Sequence, residues 1–419
     1  MTARPDTLEH LLRTEAPQVL GALVRRFGHF DVAEEATQDA LLAASRQWRE
    51  GALPEQPRSW LIRVAYRRMI DTLRAESADR QREEAYVASQ PHMFAPSSDA
   101  VDSDAVGPDH DDSLNLLLLC CHPALSSASR IALTLRAVGG LTTAEIAHAY
   151  GVTEQTMAVR ISRAKQQIRK SGARFRFAPD DDLSARVSAV MRALYLIFNE
   201  GYTATSGEQL TRTDLTTEAI RLGRLLHGLL PDDPEPAGLL ALMLLTDSRR
   251  STRTTENGDL VPLAEQDRSK WDRAMIREGS ELIRAAWSKG AVGTYRLQAA
   301  IAVVHASAAS ADQTDWEQIA ALYLGLEQVE PGGPVMLSRV VAVAQAYGPA
   351  RASALLDQLD REHGLLQHPL TRHRAHAIRA HLREAEGDAI AARADFLAAA
   401  ELTQNEPEAR YLSRKAGGG

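Results

Sequence analysis

The sequence has few of the residues that mark a secreted, membrane-spanning or β-rich protein. Its 419 residues include only two cysteines, Cys120 and Cys121, which are adjacent and cannot form a disulfide framework. No apolar run approaches the ~18 residues that a membrane-spanning helix needs. The stretch from Met1 to Glu15 lacks the apolar core of a signal peptide. These absences predict a cytoplasmic protein that does not enter a membrane.

Strand signals are also scarce, since aromatic residues make up only 5% of the chain and period-2 runs are few. Helical periodicity recurs along the chain, which predicts an all-α fold. The pattern predicts helices over 7–28, 31–50, 58–76 and within 113–171. It then predicts roughly ten amphipathic helices from 183 to 415, with breaks rich in proline and glycine at 231–236, 290–293, 331–334 and 364–369.

Charge is unevenly distributed behind a net value of −7. Residues 83–129 contain eight acids and no lysine or arginine, whereas residues 130–178 contain nine bases and two acids. Such segregation within one chain indicates contact with nucleic acid. The acidic part, from about Gln90 to Asp112, is rich in Pro, Ser and Asp and has too little apolar surface to fold alone. We therefore predict a flexible acidic linker over residues 86–112.

The segment Leu141–Thr153 has the pattern of a helix-turn-helix. Ala147 is small where two helices would cross, Gly151 follows four residues later at the turn, and Thr153 can cap the second helix. A recognition helix presents its N-terminal residues to base edges in the major groove and its basic residues to phosphates. The alternative is an ordinary helical hairpin with a solvated basic face. The predicted base readers are Gln155, Thr156 and Val159, and the predicted phosphate contacts are Arg160, Arg163, Lys165 and Arg169.

These residues resemble a known family. Leu141–Arg169 resembles domain 4 of the sigma-70 family, which binds the promoter −35 element, and Ala33–Leu41 resembles the region-2 helix that docks on the polymerase clamp. Trp60–Arg74 is similar to the helix that follows it and reads the −10 element. The resemblance covers residues 8–172, and a chain with only these two sigma domains has the layout of the extracytoplasmic-function (ECF) group.

The resemblance implies roles for particular side chains. Asp31 is a candidate N-cap with Glu34 at the capping-box position, and the stripe that follows would bind core polymerase. That stripe could also be a merely solvated acidic face. Arg67 falls where the ECF pattern commonly has Asn. The exact contact that this Asn makes in the family is therefore not assigned to Arg67, although Arg67 remains a predicted −10 contact. The implied polymerase-binding residues are Glu34, Glu35, Gln38, Asp39 and Leu42, and the implied −10 contacts are Arg63, Arg67, Arg68 and Arg74.

The C-terminal half exceeds what an ECF sigma factor requires. Ala392, Phe396 and Ala399 fit the second helix of a tetratricopeptide unit, with a looser copy at Ala352, Leu356 and Leu359. The whole chain thus resembles the ECF subgroup with a long helical-repeat extension, in which the extension is thought to regulate the sigma factor. In the family, the acidic linker threads the polymerase active-site and RNA-exit channel. Its carboxylates could imitate RNA phosphates there or could form a solvated spacer.

No motif indicates catalysis or a metal site. Cys120-Cys121-His122 has no second ligand pair at zinc spacing, so we predict buried thiols. Glu200, Asp267 and Arg249 fall in polar segments without a nucleophile–base pair, which indicates salt bridges or a docking surface.

The sequence therefore predicts four parts: sigma domain 2 (1–85), the linker (86–112), sigma domain 4 (113–178) and a helical repeat domain (183–419). The predicted function is a sigma factor that directs promoter-specific initiation, is modulated by its C-terminal domain and is not an enzyme. It needs no cofactor, and its expected partners are the clamp helices and flap of core RNA polymerase, promoter DNA and a protein that binds the repeats. The alternative is a helix-turn-helix regulator with a protein-binding repeat domain that is not a polymerase subunit.

Overall fold

The computed structural model describes residues 5–48, 53–87, 112–172 and 183–417. The chain forms two compact units, residues 1–193 and 194–419. Apart from one pair of two-residue strands, regular structure in the described residues is helical, so the all-α prediction is confirmed. None of the described helices combines the length and the apolar character needed to cross a membrane.

Three helices form the first part of the first unit: α1 (Pro5–Phe27), α2 (Phe30–Gln47) and α3 (Pro57–Val87). Small side chains let them approach closely, since Ala33, Ala40 and Ala65 are fully buried. Trp48 and Trp60 meet edge to face with ring centroids 5.1 Å apart, which fixes the end of α2 against the start of α3. Both tryptophans thus act as packing anchors.

Four shorter helices follow: α4 (Ser113–Cys120), α5 (Ser127–Ala137), α6 (Thr143–Ala149) and α7 (Glu154–Lys170). α4 is apolar on nearly all sides, and it is buried accordingly. Cys120 and Cys121 are free, buried thiols, as predicted. Burial raises the pKa of both, that of Cys121 to about 11, so neither thiol is reactive at neutral pH.

The two groups of helices pack together within the first unit. Gln18 on α1 donates a hydrogen bond to the Ser113 hydroxyl at 2.8 Å, and Arg25 lies 3.2 Å from the Asp112 carboxylate. Asp112, the last residue of the predicted flexible linker, is buried. Residues 86 and 87 of that predicted linker belong to the end of α3, and residues 88–111 lie outside the described residues. The division into separate sigma domains remains a prediction.

The second unit consists of consecutive helices that pack on one another. α8 (Leu183–Tyr202) contains the boundary between the units. The remaining helices are α9 (Thr213–Leu229), α10 (Pro234–Asp247), α11 (Arg273–Ala286), α12 (Thr294–Ser307), α13 (Trp316–Val329), α14 (Gly333–Tyr347), α15 (Pro349–His363), α16 (Arg372–Glu386), α17 (Ala389–Leu402) and α18 (Glu406–Gly417). The four predicted breaks overlap gaps between these helices, although residues 234–236 and 333–334 already form the first turns of α10 and α14.

The predicted repeat positions are the buried positions of these helices. Ala392, Phe396 and Ala399 of α17 pack in one core cluster. Ala352, Leu356 and Leu359 of α15 pack in another. Small residues and a single aromatic ring therefore fill the helix crossings, as the tetratricopeptide pattern predicts.

Two features of the second unit have no counterpart in the sequence analysis. Residues 248–272 form an irregular segment with short 3₁₀ turns between α10 and α11. In addition, Ser206–Gly207 (β1) pairs in parallel with Gln404–Asn405 (β2). The Asn405 amide reinforces this pairing by donating to the Ala204 carbonyl at 2.9 Å. This contact joins the end of the unit to its beginning.

Candidate nucleic-acid interface

α6 and α7 form the helix-turn-helix that the sequence predicts. The Thr142 hydroxyl accepts from the Glu145 amide, and the Glu145 carboxylate accepts from the Thr142 amide, so a capping box starts α6. Gly151 adopts φ +59°, a left-handed conformation that favours glycine, and turns the chain between the helices. Thr153 then caps α7 by accepting from the Thr156 amide at 3.2 Å, which confirms the predicted cap.

The N-terminal turns of α7 present the predicted base readers to solvent. Gln155, Thr156 and Val159 are exposed, and Val159 is unusually so for an apolar residue. The opposite face packs on the preceding helices through Met157, Ile161, Ala164 and Ile168. Arg163 is exposed and Arg160 is half-buried. Arg160 follows Val159 directly in the chain and Arg163 lies about one helical turn after it, so both are close to the predicted readers.

The other two predicted phosphate contacts on α7 face α2 instead. The Lys165 ammonium donates to Oε2 of Glu34, and the Arg169 guanidinium donates to the Asp31 carboxylate at 2.9 Å. Arg136 of α5 also donates to Oε1 of Glu34, at 2.9 Å. Periodicity alone assigned Lys165 and Arg169 to the DNA-facing side, because it could not include the packing of α7 against α2.

The predicted polymerase-binding stripe on α2 is divided by this packing. Glu34 is only 2% exposed, whereas Glu35, Asp39 and Leu42 are exposed and Gln38 is half-buried. The prediction that Asp31 caps α2 is wrong. The helix begins one residue earlier, at Phe30, so its cap position is His29 and Asp31 lies in the first turn.

α3 presents an exposed face that carries four arginines, with Asp71 among them. The predicted −10 contacts Arg63, Arg67, Arg68 and Arg74 are all exposed. Leu61, Ala65 and Met69 on the opposite side are fully buried against α1 and α2. Because the apolar side is held rigidly, the four guanidinium groups project from a fixed surface.

Three polar residues that the sequence singles out in the second unit make separate local contacts: Glu200, Asp267 and Arg249. Glu200 accepts from the backbone and hydroxyl of Thr205, and Asp267 accepts from the Ser269 amide at 3.0 Å. Both carboxylates are thus used in local turns, whereas Arg249 lies over the Tyr202 ring. A groove of about 780 Å³ lies elsewhere in the unit, between α11, α12 and α13.

These features define a helix-turn-helix protein of the DNA-binding class with a second, arginine-bearing helix. Residues 11–78 match the sigma-70 region 2 family, and residues 115–168 match the sigma-70 region 4 family. The chain is 30% identical over 156 residues to the ECF RNA polymerase sigma factor SigK of Mycobacterium ulcerans (strain Agy99). That alignment covers 36% of this chain and 74% of SigK. The chain therefore belongs to the ECF group of the sigma-70 family.

Other comparisons concern the extension. Residues 186–287 match a family of unknown function, DUF6596, which fits the ECF subgroup with a long C-terminal extension. An uncharacterized protein of Rhizobium meliloti (strain 1021) is 40% identical over 399 residues, which is 94% of this chain and 92% of that protein. Its similarity therefore extends over both units. No solved structure shows significant similarity to the chain.

Proposed function

We propose that this protein binds core RNA polymerase and directs promoter-specific initiation of transcription. The observation that carries the proposal is the pair of exposed surfaces on the two matched sigma regions. One is the basic face of α3, and the other is the N-terminal end of α7, where exposed side chains can reach base edges. The polymerase supplies the chemistry, so the chain is neither an enzyme nor dependent on a cofactor.

Each surface has a separate role in this proposal. Gln155, Thr156 and Val159 contact bases of the −35 element, with Arg160 and Arg163 on the adjoining phosphates. Arg63, Arg67, Arg68 and Arg74 hold the strand of the −10 element. Glu35, Asp39 and Leu42 form the exposed part of the surface that binds the polymerase clamp, with Gln38 beside them.

The described arrangement of the first unit is a closed form. Glu34 is implied in polymerase binding and Lys165 in −35 binding, but here they bind each other. Neither can contact polymerase or DNA until that ion pair separates. We infer that α2 and α7 move apart when the sigma factor engages the polymerase and the promoter.

The second unit modulates this activity. Its size exceeds what the sigma role needs, and the similarity to the Rhizobium meliloti protein spans it as well as the sigma regions. Consecutive helices share buried cores, so the unit can act as one body on the sigma regions or on a protein partner.

The test is reconstituted run-off transcription with core polymerase and full-length protein. Exposed arginines are replaced one at a time, as Arg67→Gln and Arg163→Gln, and Arg277→Gln on α11 is the matched control. We expect Arg67→Gln and Arg163→Gln each to weaken promoter binding. Each should also reduce the slope of log binding constant against log salt concentration by about 1, the contribution of one phosphate contact. Arg277→Gln should leave both unchanged.

Two further arms separate the alternatives. A protein that binds promoter DNA but not core polymerase would be a helix-turn-helix regulator, and the proposal would fail. The same assay on a chain ending at Ala193 tests modulation, since an unchanged output would remove the regulatory role of the second unit.

A further inference from the structure

The irregular segment that follows α10 buries arginine side chains without acidic partners. Arg253 is 6% exposed and Arg268 is 5% exposed, while Arg249 is half-buried. Among the described residues, no carboxylate forms an ion pair with any of the three. The neighbouring acid, Asp247, binds Arg250 through both of its carboxylate oxygens.

Two of these arginines share one aromatic ring. The guanidinium carbon of Arg253 lies 3.5 Å from the centroid of the Tyr202 ring, and that of Arg249 lies 5.5 Å from it. Arg253 also donates to the Tyr202 carbonyl and, at 3.0 Å, to the Thr203 hydroxyl. Its position is therefore fixed by the end of α8 and the residue that follows.

Arg268, the third arginine, is held by the end of α12 and the residues that follow it. Arg268 donates to the backbone carbonyls of His305 and Ala308, at 2.8 and 3.0 Å, and to the Thr314 hydroxyl at 3.0 Å. These oxygens are neutral, so they satisfy N–H groups without cancelling the charge. Among the described residues, three buried nitrogen atoms of this cluster have no hydrogen-bond partner: Nε of Arg268, Nε of Arg249 and Nδ1 of His305.

The three positive charges act on one another. Burial lowers the pKa of Arg253 and of Arg268, and the charge of Arg249 lowers both further. Tyr202 and the more distant carboxylate of Asp247 act in the opposite direction on Arg253 without outweighing burial. Burial, followed by the charges of Arg249 and Arg268, lowers the pKa of His305 to about 4. Arg249 is therefore within electrostatic range of the other three groups.

Buried charge of one sign is costly unless a counter-charge accompanies it, and buried polar atoms are normally hydrogen-bonded. The nearby acids in sequence are engaged elsewhere: Asp247 pairs with Arg250, and Glu200 and Asp267 each accept hydrogen bonds in their own turn. We propose that Arg249, with Arg253, Arg268 and Tyr202, forms a binding site for a small oxyanion, the phosphate or carboxylate group of a soluble ligand.

The chemistry of the cluster fits such a ligand. A guanidinium binds phosphate or carboxylate through two parallel hydrogen bonds, and it keeps its charge when buried. The Arg249 guanidinium has no hydrogen-bond partner among the described residues, and the residue retains partial exposure. It is therefore the residue that contacts the anion directly, while Arg253 and Arg268 supply positive potential from fixed positions.

Isothermal titration calorimetry on the full-length protein tests the site with two probes, inorganic phosphate and succinate. The buffers contain chloride at matched ionic strength. We expect saturable binding of one of the two anions with a stoichiometry of one, and the probe that binds identifies the group recognised. Arg249→Gln should weaken that binding by about 10–100-fold, the effect of losing charged hydrogen bonds. Arg277→Gln, which removes an exposed arginine of the same unit, should leave it unchanged.

The thermal unfolding temperature of each variant shows whether a loss of anion binding is caused by misfolding. In chloride alone, Arg249→Gln should unfold at the wild-type temperature or above it, because an uncompensated charge has been removed. Arg249→Lys keeps the charge without the paired donors and should bind at an intermediate level. The proposal is overturned if neither anion binds saturably, or if Arg249→Gln binds as tightly as wild type. No polymerase or DNA enters these measurements, so their outcome is independent of the sigma-factor proposal.

Discussion

The two units treat buried charge in opposite ways. In the first, the buried carboxylate of Glu34 is matched by two cations, Arg136 and Lys165, that come from a different group of helices. In the second, Arg249, Arg253 and Arg268 are brought together, and no carboxylate among the described residues forms an ion pair with any of them. The first arrangement is complete in itself, whereas the second lacks a counter-charge.

The difference does not follow from any shortage of acids in the second unit. Arg296, which is 1% exposed, donates to Oε1 of Glu235 at 2.8 Å and to three backbone carbonyls. Gly238 makes room for it, since a Cβ there would lie 2.8 Å from Cγ of Arg296. The same unit therefore pairs a buried arginine with an acid where the role is structural, and this contrast supports the proposal that the cluster at Arg249 binds an anion.

The largest effect should come from breaking the compensated arginine. Arg296→Gln leaves Glu235 without its cation and three carbonyls without their donors. We expect a loss of about 3–5 kcal/mol in the stability of the second unit, the usual cost of removing one partner of a buried pair. Hydrogen exchange of peptides from α10 and α12 in the full-length protein measures it.

The contrast is with Arg249→Gln under the same conditions. That variant should lose no protection in chloride buffer, because no hydrogen bond of the described structure is removed with it. If both variants lost protection equally, the distinction between structural and ligand-binding arginines would not hold.

A smaller effect should come from the ion pairs that close the first unit. Glu34→Gln removes the carboxylate shared by Arg136 and Lys165, and we expect the contact between α2 and α7 to weaken by about 2–3 kcal/mol. Faster hydrogen exchange in peptides of α7 would report it. Glu35→Gln is the matched control on the same helix, since Glu35 is exposed.

The same pair of variants separates closure from polymerase binding. Glu35→Gln should lower affinity for core polymerase while leaving exchange in α7 unchanged. Unaltered exchange in Glu34→Gln would mean that the ion pair does not hold the first unit closed.

Much of this fold follows from local sequence patterns. The turn glycine Gly151, the cap Thr153 and the small residue Ala147 predicted the helix-turn-helix, because each depends only on near neighbours in the chain. Breaks rich in proline and glycine predicted where the helices of the second unit end. Ala392 and Phe396 predicted a buried helix crossing for the same reason.

Contacts distant in sequence could not be predicted in this way. Periodicity placed Lys165 and Glu34 on exposed faces, whereas the packing of α2 against α7 joins them. Arg249 stood out as a polar residue, yet nothing in its local sequence showed that it would meet Tyr202, or that Arg268 would bond to His305. Such pairings depend on the tertiary arrangement, which spacing along one helix does not contain.

The smallest effect tests the uncompensated cluster through its histidine. Burial and the charges of Arg249 and Arg268 lower the pKa of His305 from 6.5 to about 4, while its ring packs edge-on against Trp316. The unfolded chain then binds a proton more readily than the folded one below pH 6.5. His305 therefore favours folding above pH 6.5, and this contribution is lost as the pH falls toward 4. Between pH 7 and pH 5 we expect the second unit to lose about 1–2 kcal/mol of stability through this residue.

Chemical denaturation at several pH values, compared between wild type and His305→Asn, isolates that contribution. The loss of stability on acidification should be smaller in His305→Asn, because the titrating group is absent. It should also be smaller in Arg249→Gln, because removing the neighbouring charge raises the pKa of His305.

An anion bound at Arg249 would also raise the pKa of His305. Whichever of phosphate and succinate binds should therefore reduce the pH dependence of stability in wild type but not in Arg249→Gln. A pH dependence identical in wild type and His305→Asn would show that His305 does not report the charge of the cluster. A reduction by the anion in both wild type and Arg249→Gln would place the anion elsewhere.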